Sequence, residues 1–542
     1  LFDITGDLTL DGTLNAVDAG GYGAGIYRIM TYGGALTDNG LETGTSPAGF
    51  GRLDVQTAIA NEVNLVVNPA DTGTPVPPGP GPAPAIQFWD GANTTANGAI
   101  DGGSGRWALG TTNWTRTNGT DNDAWGGNFA VFQGAPATIT VDRINGDVNA
   151  GGLQFADDDM RVEGERLGLI GADGQTTIRV GDGTQAGAGM TATIASALSG
   201  DSRLVKTDLG TLILTGANTY SGGTSINSGT LSVSSDANLG DASGGLEFAG
   251  GTLRTTASFD ASRSALVSGE GVIDTVTGTR LRLLGDLTGT GTVTKTGSGT
   301  LVLDGDSAFE GMTDVKEGHL IVGDSAGSGA RLVGGVTIGS GAYLSGSGSV
   351  GTTLVEGTVQ PGNSIGTITI AGDARFTSGS VYEVEVDPSG TSSDLIDASG
   401  SVTIESGAAV QHVGYDGVYA PVSTYTIIRA GGDVTGTFDT VGSDFAFLDA
   451  SLGYGANEVT LTLTRNLTEL ADVAATRNQR AAAAGVEGLG FGNALYGVIL
   501  TQDAPTARYA YDQVSGELHA SLKSALIADS QYPRQAALGR LH

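Results

Sequence analysis

Hydrophobic residues in this chain recur at every second position over runs of three to five residues, and each run ends at or near a glycine. Thr211–Leu214 ("TLIL"), Thr230–Val233 ("TLSV") and Thr367–Ile370 ("TITI") are typical. A period of two sends alternate side chains to opposite faces of an extended strand. With Thr, Val, Leu and Ser filling the runs and Gly the gaps, the pattern predicts many short β-strands joined by tight turns. From Asn466 onward the pattern becomes Ala-rich and helical. There "YDQVSGELHASLKSALIADS" (511–530) sets Val514, Leu518, Leu522 and Leu526 four apart, predicting one helix with a narrow apolar face that stops at Pro533.

The runs repeat. Lys206–Val233 ("KTDLGTLILTGANTYSGGTSINSGTLSV") aligns without a gap on Lys295–Val322 ("KTGSGTLVLDGDSAFEGMTDVKEGHLIV"), and inside each copy the strand returns after about 19 residues. Strands of this length returning at this period predict a parallel β-helix. Each coil stacks on the last, and inward side chains form aliphatic ladders that a lone coil cannot bury. A more distant repeat relates "LFDITGDLTL" (1–10) to "LIDASGSVTI" (395–404), "IYRIMTYGG" (26–34) to "TYTIIRAGG" (424–432) and "ANEVNLVV" (60–67) to "ANEVTLTL" (456–463). The chain is therefore expected to open inside a module whose fuller version ends near 465, with further sequence ahead of it. The Pro/Gly run 68–86 between module and coils reads as an extended linker.

Composition narrows the function. Only 15% of the 542 residues are charged, 91 are glycine, and the formal net charge is -32. Such a field repels phosphate backbones and anionic lipid and argues against nucleic-acid binding, while keeping an edge-rich β-protein soluble. From Asn466 to the end, 6 Lys/Arg stand against 7 Asp/Glu, so the acidic excess lies before that point. Cysteine is absent, which suits a chain that crosses a pore unfolded and equally suits a cytosolic protein. No stretch reaches the roughly 18 apolar residues of a membrane helix. The first residues, "LFDI", have no basic or apolar leader, so any secretory signal is expected upstream.

Three segments together resemble the passenger region of a monomeric (type V) autotransporter of a Gram-negative bacterium. "LGTLILTGANTYSGGTSINSGTL", followed by "SSDANLG", resembles the passenger-associated repeat. "TVQPGNSIGTITIAGD" with "GSVYEVEVD" resembles the start of the C-terminal coils that act as an intramolecular folding template. "YDQVSGELHASLKSALIADSQYPRQAALGRL" is similar to the helical segment leading into the translocator barrel. The resemblance implies a right-handed parallel β-helix, all-β in class, over residues 87–465. It divides into a passenger at 87–360 and autochaperone-like coils at 361–465, after the small separate β module at 1–67. Residues 466–542 would then lead to the chain's own β-barrel, which is absent here and expected after Leu541. The implied partners are that barrel, the outer-membrane assembly machinery and a host-surface or cell-surface ligand. The implied place is the cell surface or the medium.

Within that reading, Pro361, Gly362, Asn363 and Ser364 form an enforced turn that restarts the chain on the next coil. Pro361 fixes φ, Gly362 and Asn363 tolerate positive φ, and Ser364 is placed to cap the turn. Trp89, Trp107, Trp114 and Trp125 either hold a sugar beside Asp and Asn side chains or, as the favoured reading, plug the open end of the first coil. Val514, Leu518, Leu522 and Leu526 line or plug a pore on the family's precedent. The histidines (His319, His412, His519, His542) and the loop "SGDSR" (199–203) suggest no catalytic set. Asp157, Asp158 and Asp159, like Asp121 and Asp123, read as solvated acidic turns rather than calcium ligands. No cofactor or metal site is expected. Two functions remain: an adhesive or structural passenger, or the stalk of a secreted hydrolase whose catalytic domain lies upstream.

Overall fold

The computed structural model describes the chain apart from residues 19–21, 49, 70–85, 325–328, 389, 415–416, 418 and 541–542. The side chains of 517–521 are likewise outside the description. Most of the expected linker and His542 thus fall outside the described residues. The chain divides into two compact units, residues 1–321 with 327–334, and residues 322–326 with 335–542.

The first unit opens with the predicted module. β1 (Phe2–Ile4) lies parallel to β3 (Gly25–Tyr32), and β6 (Glu62–Val67) runs antiparallel between β3 and β5 (Leu53–Gln56). β2 (Leu8–Leu14) pairs in parallel with β4 (Leu36–Thr43). Parallel coils follow from Ile86 onward. Along one face Ala192, Leu212, Leu231, Leu253 and Ile273 sit in register on successive coils, all at 1% exposure or less. Their sequence neighbours Thr211, Ile213 and Thr230 are half-exposed, as the period of two requires. A parallel ladder hydrogen-bonds each strand to coils on both sides, so every interior strand has its backbone satisfied only while both neighbours are present.

The module at 1–67 is not separate from the coils, as its sequence alone suggested. The carboxamide of Gln154 bridges Ile26, accepting from its N–H (2.7 Å) and donating to its carbonyl (2.9 Å). The Arg28 guanidinium reaches Glu62 (2.8 Å), Asp157 (3.3 Å) and Asp182 (3.0 Å), and Arg179 stacks 4.3 Å over the Tyr27 ring. Ile26 and Val66 join Ile86, Phe88 and Val131 in one apolar cluster. Of the acidic run at 157–159, Asp158 and Asp159 are exposed, while Asp157 is half-buried. Asp157 docks the module, and Asp158 accepts from the Thr191 N–H (2.7 Å) and hydroxyl (2.9 Å).

In the second unit, coils continue from Val336 and end in a module built like the first. Leu395–Ala398 lies parallel to Val422–Ala430, which runs antiparallel to Glu458–Arg465, and Val402–Ile404 pairs in parallel with Val434–Gly436. Even the irregularity recurs. The register slips between Arg28 and Met30 in β3 and between Thr426 and Ile428 in its counterpart. Among the described residues five helices follow: α1 (Arg477–Glu487), α2 (Ala494–Leu500), α3 (Ala504–Val514), α4 (Glu517–Asp529) and α5 (Gln531–Gly539). A capping box between Thr476 and Gln479 starts α1.

The single helix expected over 511–530 is two. Gly516 takes φ 70°, a left-handed value that ends α3 and begins α4. Pro533 stops nothing, because it falls in the first turn of α5, where a backbone N–H has no helical acceptor to lose.

Gly229 shows how tightly the coils approach. Its φ is +64°, and a β-carbon there would lie 2.4 Å from the Asp208 carbonyl oxygen and 2.5 Å from that of Gly210. Gly174 has a similar φ (+70°) and open space around it. Gly229→Ala is expected to destabilise the first unit by about 2 kcal/mol more than Gly174→Ala. Urea unfolding midpoints of the two variants check this, and equal midpoints would refute the close-approach argument.

Candidate functional site

The turn at 361–366 is held from both sides in sequence. Pro361 ends the strand Thr358–Pro361 and is buried. Gly362 takes φ 83°, donates its N–H to the Gly346 carbonyl (2.8 Å) and accepts from the Gly346 N–H (3.1 Å). A β-carbon on Gly362 would meet the Ser364 carbonyl at 1.9 Å, so only glycine fits. Asn363 is not among the residues with positive φ. It works through its side chain, whose Nδ2 donates to the Asp324 carbonyl (2.8 Å) and Oδ1 (2.7 Å). Ser364 is exposed.

On the far side, the Asp394 carboxylate accepts from the N–H groups of Gly366 (2.9 Å) and Glu385 (2.8 Å). Burial pushes this carboxyl up to about 7, against the pull of those two donors. The Tyr382 hydroxyl donates to the Asp394 (3.1 Å) and Ile427 (2.7 Å) carbonyls. The turn is thereby stitched to the coils that follow it. Asp324, Tyr382 and Asp394 carry no sequence mark beyond their ordinary places beside glycine or an aliphatic run.

The four tryptophans form one buried cluster in the first unit, none more than 6% exposed. The Trp114 ring lies 5.1 Å from Trp89, 5.1 Å from Trp107 and 4.3 Å from Trp125, and Phe132 closes the group. Trp89 and Trp125 donate their indole N–H groups to the Gly103 and Asn149 carbonyls (both 2.7 Å). Their faces meet one another rather than solvent. The polar neighbours are used locally as well: Asn113 is buried and donates to the Gly91 (2.8 Å) and Arg106 (3.1 Å) carbonyls, and Asp123 pairs with Arg116. Ile86–Trp89 pairs antiparallel with Trp114–Thr115, so the cluster sits where parallel stacking ends.

Val514 lies on α3, while Leu522 and Leu526 lie on α4, all well exposed (43%, 56% and 62%). The side chains of Leu518 and His519 lie outside the description. His319 is half-buried. His412 is fully buried, with Nδ1 3.0 Å from the Ser443 hydroxyl and its ring against Tyr419 and Phe445. Burial pushes its pKa down to about 4, despite Asp444 nearby. Among the described residues, no cluster of His, Asp and Glu is arranged to hold a metal ion.

Sequence reasoning passed over two lysines. Lys206 sits in an inward ladder between Ile178 and Ile226, and its ammonium donates to the carbonyls of Thr207 (2.9 Å), Asp208 (2.9 Å) and Ser228 (3.2 Å). Lys295, between Ile273 and Val315, repeats the cage on Thr296 (2.8 Å), Gly297 (2.6 Å) and Glu317 (3.1 Å). Burial pulls the two amines down to about 7 and about 8. The mark was present, since both repeats begin Lys-Thr. Leu198 and Leu287 also make matching bonds, their N–H groups donating to the side chains of Asn218 (2.8 Å) and Ser307 (3.0 Å).

Both cages fall inside matches to the passenger-associated-transport-repeat family, at residues 204–233 and 293–322. The chain is 44% identical over 298 residues to the adhesin BmaC autotransporter of Brucella suis biovar 1 (strain 1330), an alignment covering 53% of this chain and 8% of that protein. It is 30% identical over 307 residues to an extracellular serine protease of Serratia marcescens, covering 47% of this chain and 29% of the protease. A second extracellular serine protease of Serratia marcescens aligns at 27% identity over the same length. The chain thus spans under a tenth of the adhesin and under a third of each protease.

Two outcomes are expected. Ile370 is 1% exposed between Val350 and Ala398, and Val384 is fully buried. Replacing either by Asp buries a charge beside the turn and should cut the refolded, protease-resistant yield more than about fivefold, against less than twofold for Leu10→Asp. Equal yields would count against a templating role for these coils. For His412, a folded-state pKa below the unfolded 6.5 means that the unfolded chain binds more protons between pH 6.5 and 4. Stability from this group is present above 6.5 and falls by up to about 3 kcal/mol as the pH drops to 4. Asp394, raised to about 7, works in the opposite direction over an overlapping range. The difference between the parent and His412→Phe in denaturant titrations from pH 7 to 4 isolates the histidine, and parallel curves would exclude it.

Proposed function

We propose that this chain, a member of the type V autotransporter passengers, serves at the bacterial surface as an adhesive and structural stalk. The observation that carries the adhesive reading is its 44% identity to an autotransporter adhesin over about half of its length. Autotransporter passengers reach the cell surface or the medium of Gram-negative bacteria through a C-terminal barrel. In our reading residues 466–542 lead to that barrel, with Leu522 and Leu526 on α4 facing its lumen. The coils from Pro361 to Arg465 fold first and template the rest. The turn clamped by Asp324 and Asp394 supports that order, because it fixes the register of the coils on either side before further rungs are added.

Recognition on such a stalk falls to its outward polar faces, since the tryptophans are buried. With a net charge of -32, contact with anionic surfaces is opposed and a basic or neutral counter-surface favoured. A second reading, a stalk beneath an upstream hydrolase, is supported by the identity to two extracellular serine proteases.

Displaying residues 1–542 on a non-adherent Gram-negative host through a heterologous barrel separates the two. The adhesive reading expects binding to epithelial monolayers to rise several-fold over the barrel alone. Unchanged binding, together with casein cleavage by a longer form of the polypeptide, would favour the stalk.

A further inference from the structure

The module at 1–67 and its counterpart at 395–465 share strands but not a face, and they differ where the first meets the coils. The pairing corresponds position by position. Ile26 lies opposite Val66 and Arg28 opposite Asn64, as Thr424 lies opposite Thr462 and Thr426 opposite Thr460. On one side of each sheet the aliphatic residues are kept, Val63 and Leu65 answering to Val459 and Leu461, all at 5% exposure or less. On the other side all four positions change. Ile26, Asn64 and Val66 are fully buried, whereas Thr424 is exposed, Thr426, Thr460 and Thr462 are half-exposed, and the Thr424 and Thr462 hydroxyls bond each other (3.0 Å). Gln56, buried opposite Asn64, is matched by an exposed Gly453 opposite Thr460.

The first module's face is built like the interface between two separate proteins, with an apolar centre and a polar surround. Ile26 and Val66 pack on Phe88 and Val131 at the centre. Around them main chain and side chains are matched across the seam. The Arg28 N–H donates to the Asp182 carbonyl (2.9 Å) and the Ile100 N–H to that of Ala58 (3.3 Å). The Gln133 carboxamide donates to Gln56 Oε1 (3.1 Å), and the Arg179 guanidinium to the Ala24 carbonyl (2.9 Å). The Gln154 bridge and the Arg28 ion pairs with Asp157 and Asp182 complete the set. All of these contacts are made by residues outside the Pro/Gly run at 68–86.

We infer that this face, and not the linker, holds the module on the coils, so that a protein cut within residues 70–85 remains a two-piece complex with its first module in place. The partner that the face fits is the flank of a parallel β-helix carrying a carboxamide and two carboxylates on successive coils, as Gln154, Asp157 and Asp182 do. Segments of small residues between compact parts are preferred sites of proteolytic nicking, and docking of this kind makes scission there harmless to the assembly. The specificity lies in four side chains. Threonine in their places, as in the module at 395–465, leaves Asp157 and Asp182 without their cation and the apolar centre unfilled.

The test inserts a site-specific protease sequence between Thr74 and Pro75 of the full chain, cuts it to completion and passes the product over a sizing column at about 1 μM. The module is expected to travel with the coils. Combining Ile26→Thr, Arg28→Thr, Asn64→Thr and Val66→Thr, the set that the second module carries in an intact sheet, should weaken retention at least about tenfold. Arg28→Thr alone should weaken it by an intermediate factor. Release of the parent module on cutting overturns the inference, and so does full retention of the fourfold variant. Slow amide exchange at Val63 and Leu65 in the uncut chain shows that the variant module is still folded. Where that protection is lost, Arg28→Thr decides: weaker retention supports the inference, and unchanged retention overturns it.

Discussion

Every interior strand here draws half of its backbone hydrogen bonds from the coil before it and half from the coil after. That one constraint sets the rest. Coil length varies, but the ladders do not slip, because a shift of one residue would send Leu212, Leu231 and Leu253 to water and their threonine neighbours inward. Stability is accordingly close to a sum over neighbouring rungs, and it is lost first where a rung lacks a partner. In the first unit the tryptophan cluster lies where an antiparallel pair, Ile86–Trp89 with Trp114–Thr115, interrupts parallel stacking, and in the second an antiparallel pair, Val422–Ala430 with Glu458–Arg465, ends the ladder.

The lysine cages show how a charge is carried inside such a stack. Lys206 and Lys295 occupy ladder positions otherwise held by aliphatic residues, and each ammonium spends its three donors on carbonyls at strand ends and turns. Those acceptors offset desolvation only in part, since burial still pulls both amines below their usual value. Arg263 does the same work at larger scale. Fully buried, it pairs with Asp236 and donates to the carbonyls of Leu239 (3.2 Å) and Gly244 (2.7 Å), tying down the loop after the first repeat. Buried cations in this fold are staples for its corners.

Much of this was legible in the sequence, because period-two alternation and the 19-residue return are direct consequences of stacking. The doubled module could be read as far as its strand order, through "ANEVNLVV" and "ANEVTLTL". Its docking on the coils could not, since Gln154 and Asp157 look like any polar residues until Ile26 and Arg28 are brought to them across more than a hundred residues. The helix break at Gly516 is hidden too, because the leucine spacing predicts one helix while a single left-handed φ ends it. In the candidate turn, Gly362 was readable from its type, whereas Asn363 acts through a side-chain partner 39 residues earlier, which no local pattern records.

The alternation along each strand also divides the chain into two populations with different freedom to change. Inward positions and corner glycines such as Gly229 and Gly362 meet neighbours at distances that tolerate almost no substitution. Outward strand residues such as Thr211, Ile213 and Thr230 project away from the packed interior. The outward face can therefore change residue by residue while the scaffold stands still, and sequence drift should run at two speeds in step with the pleat.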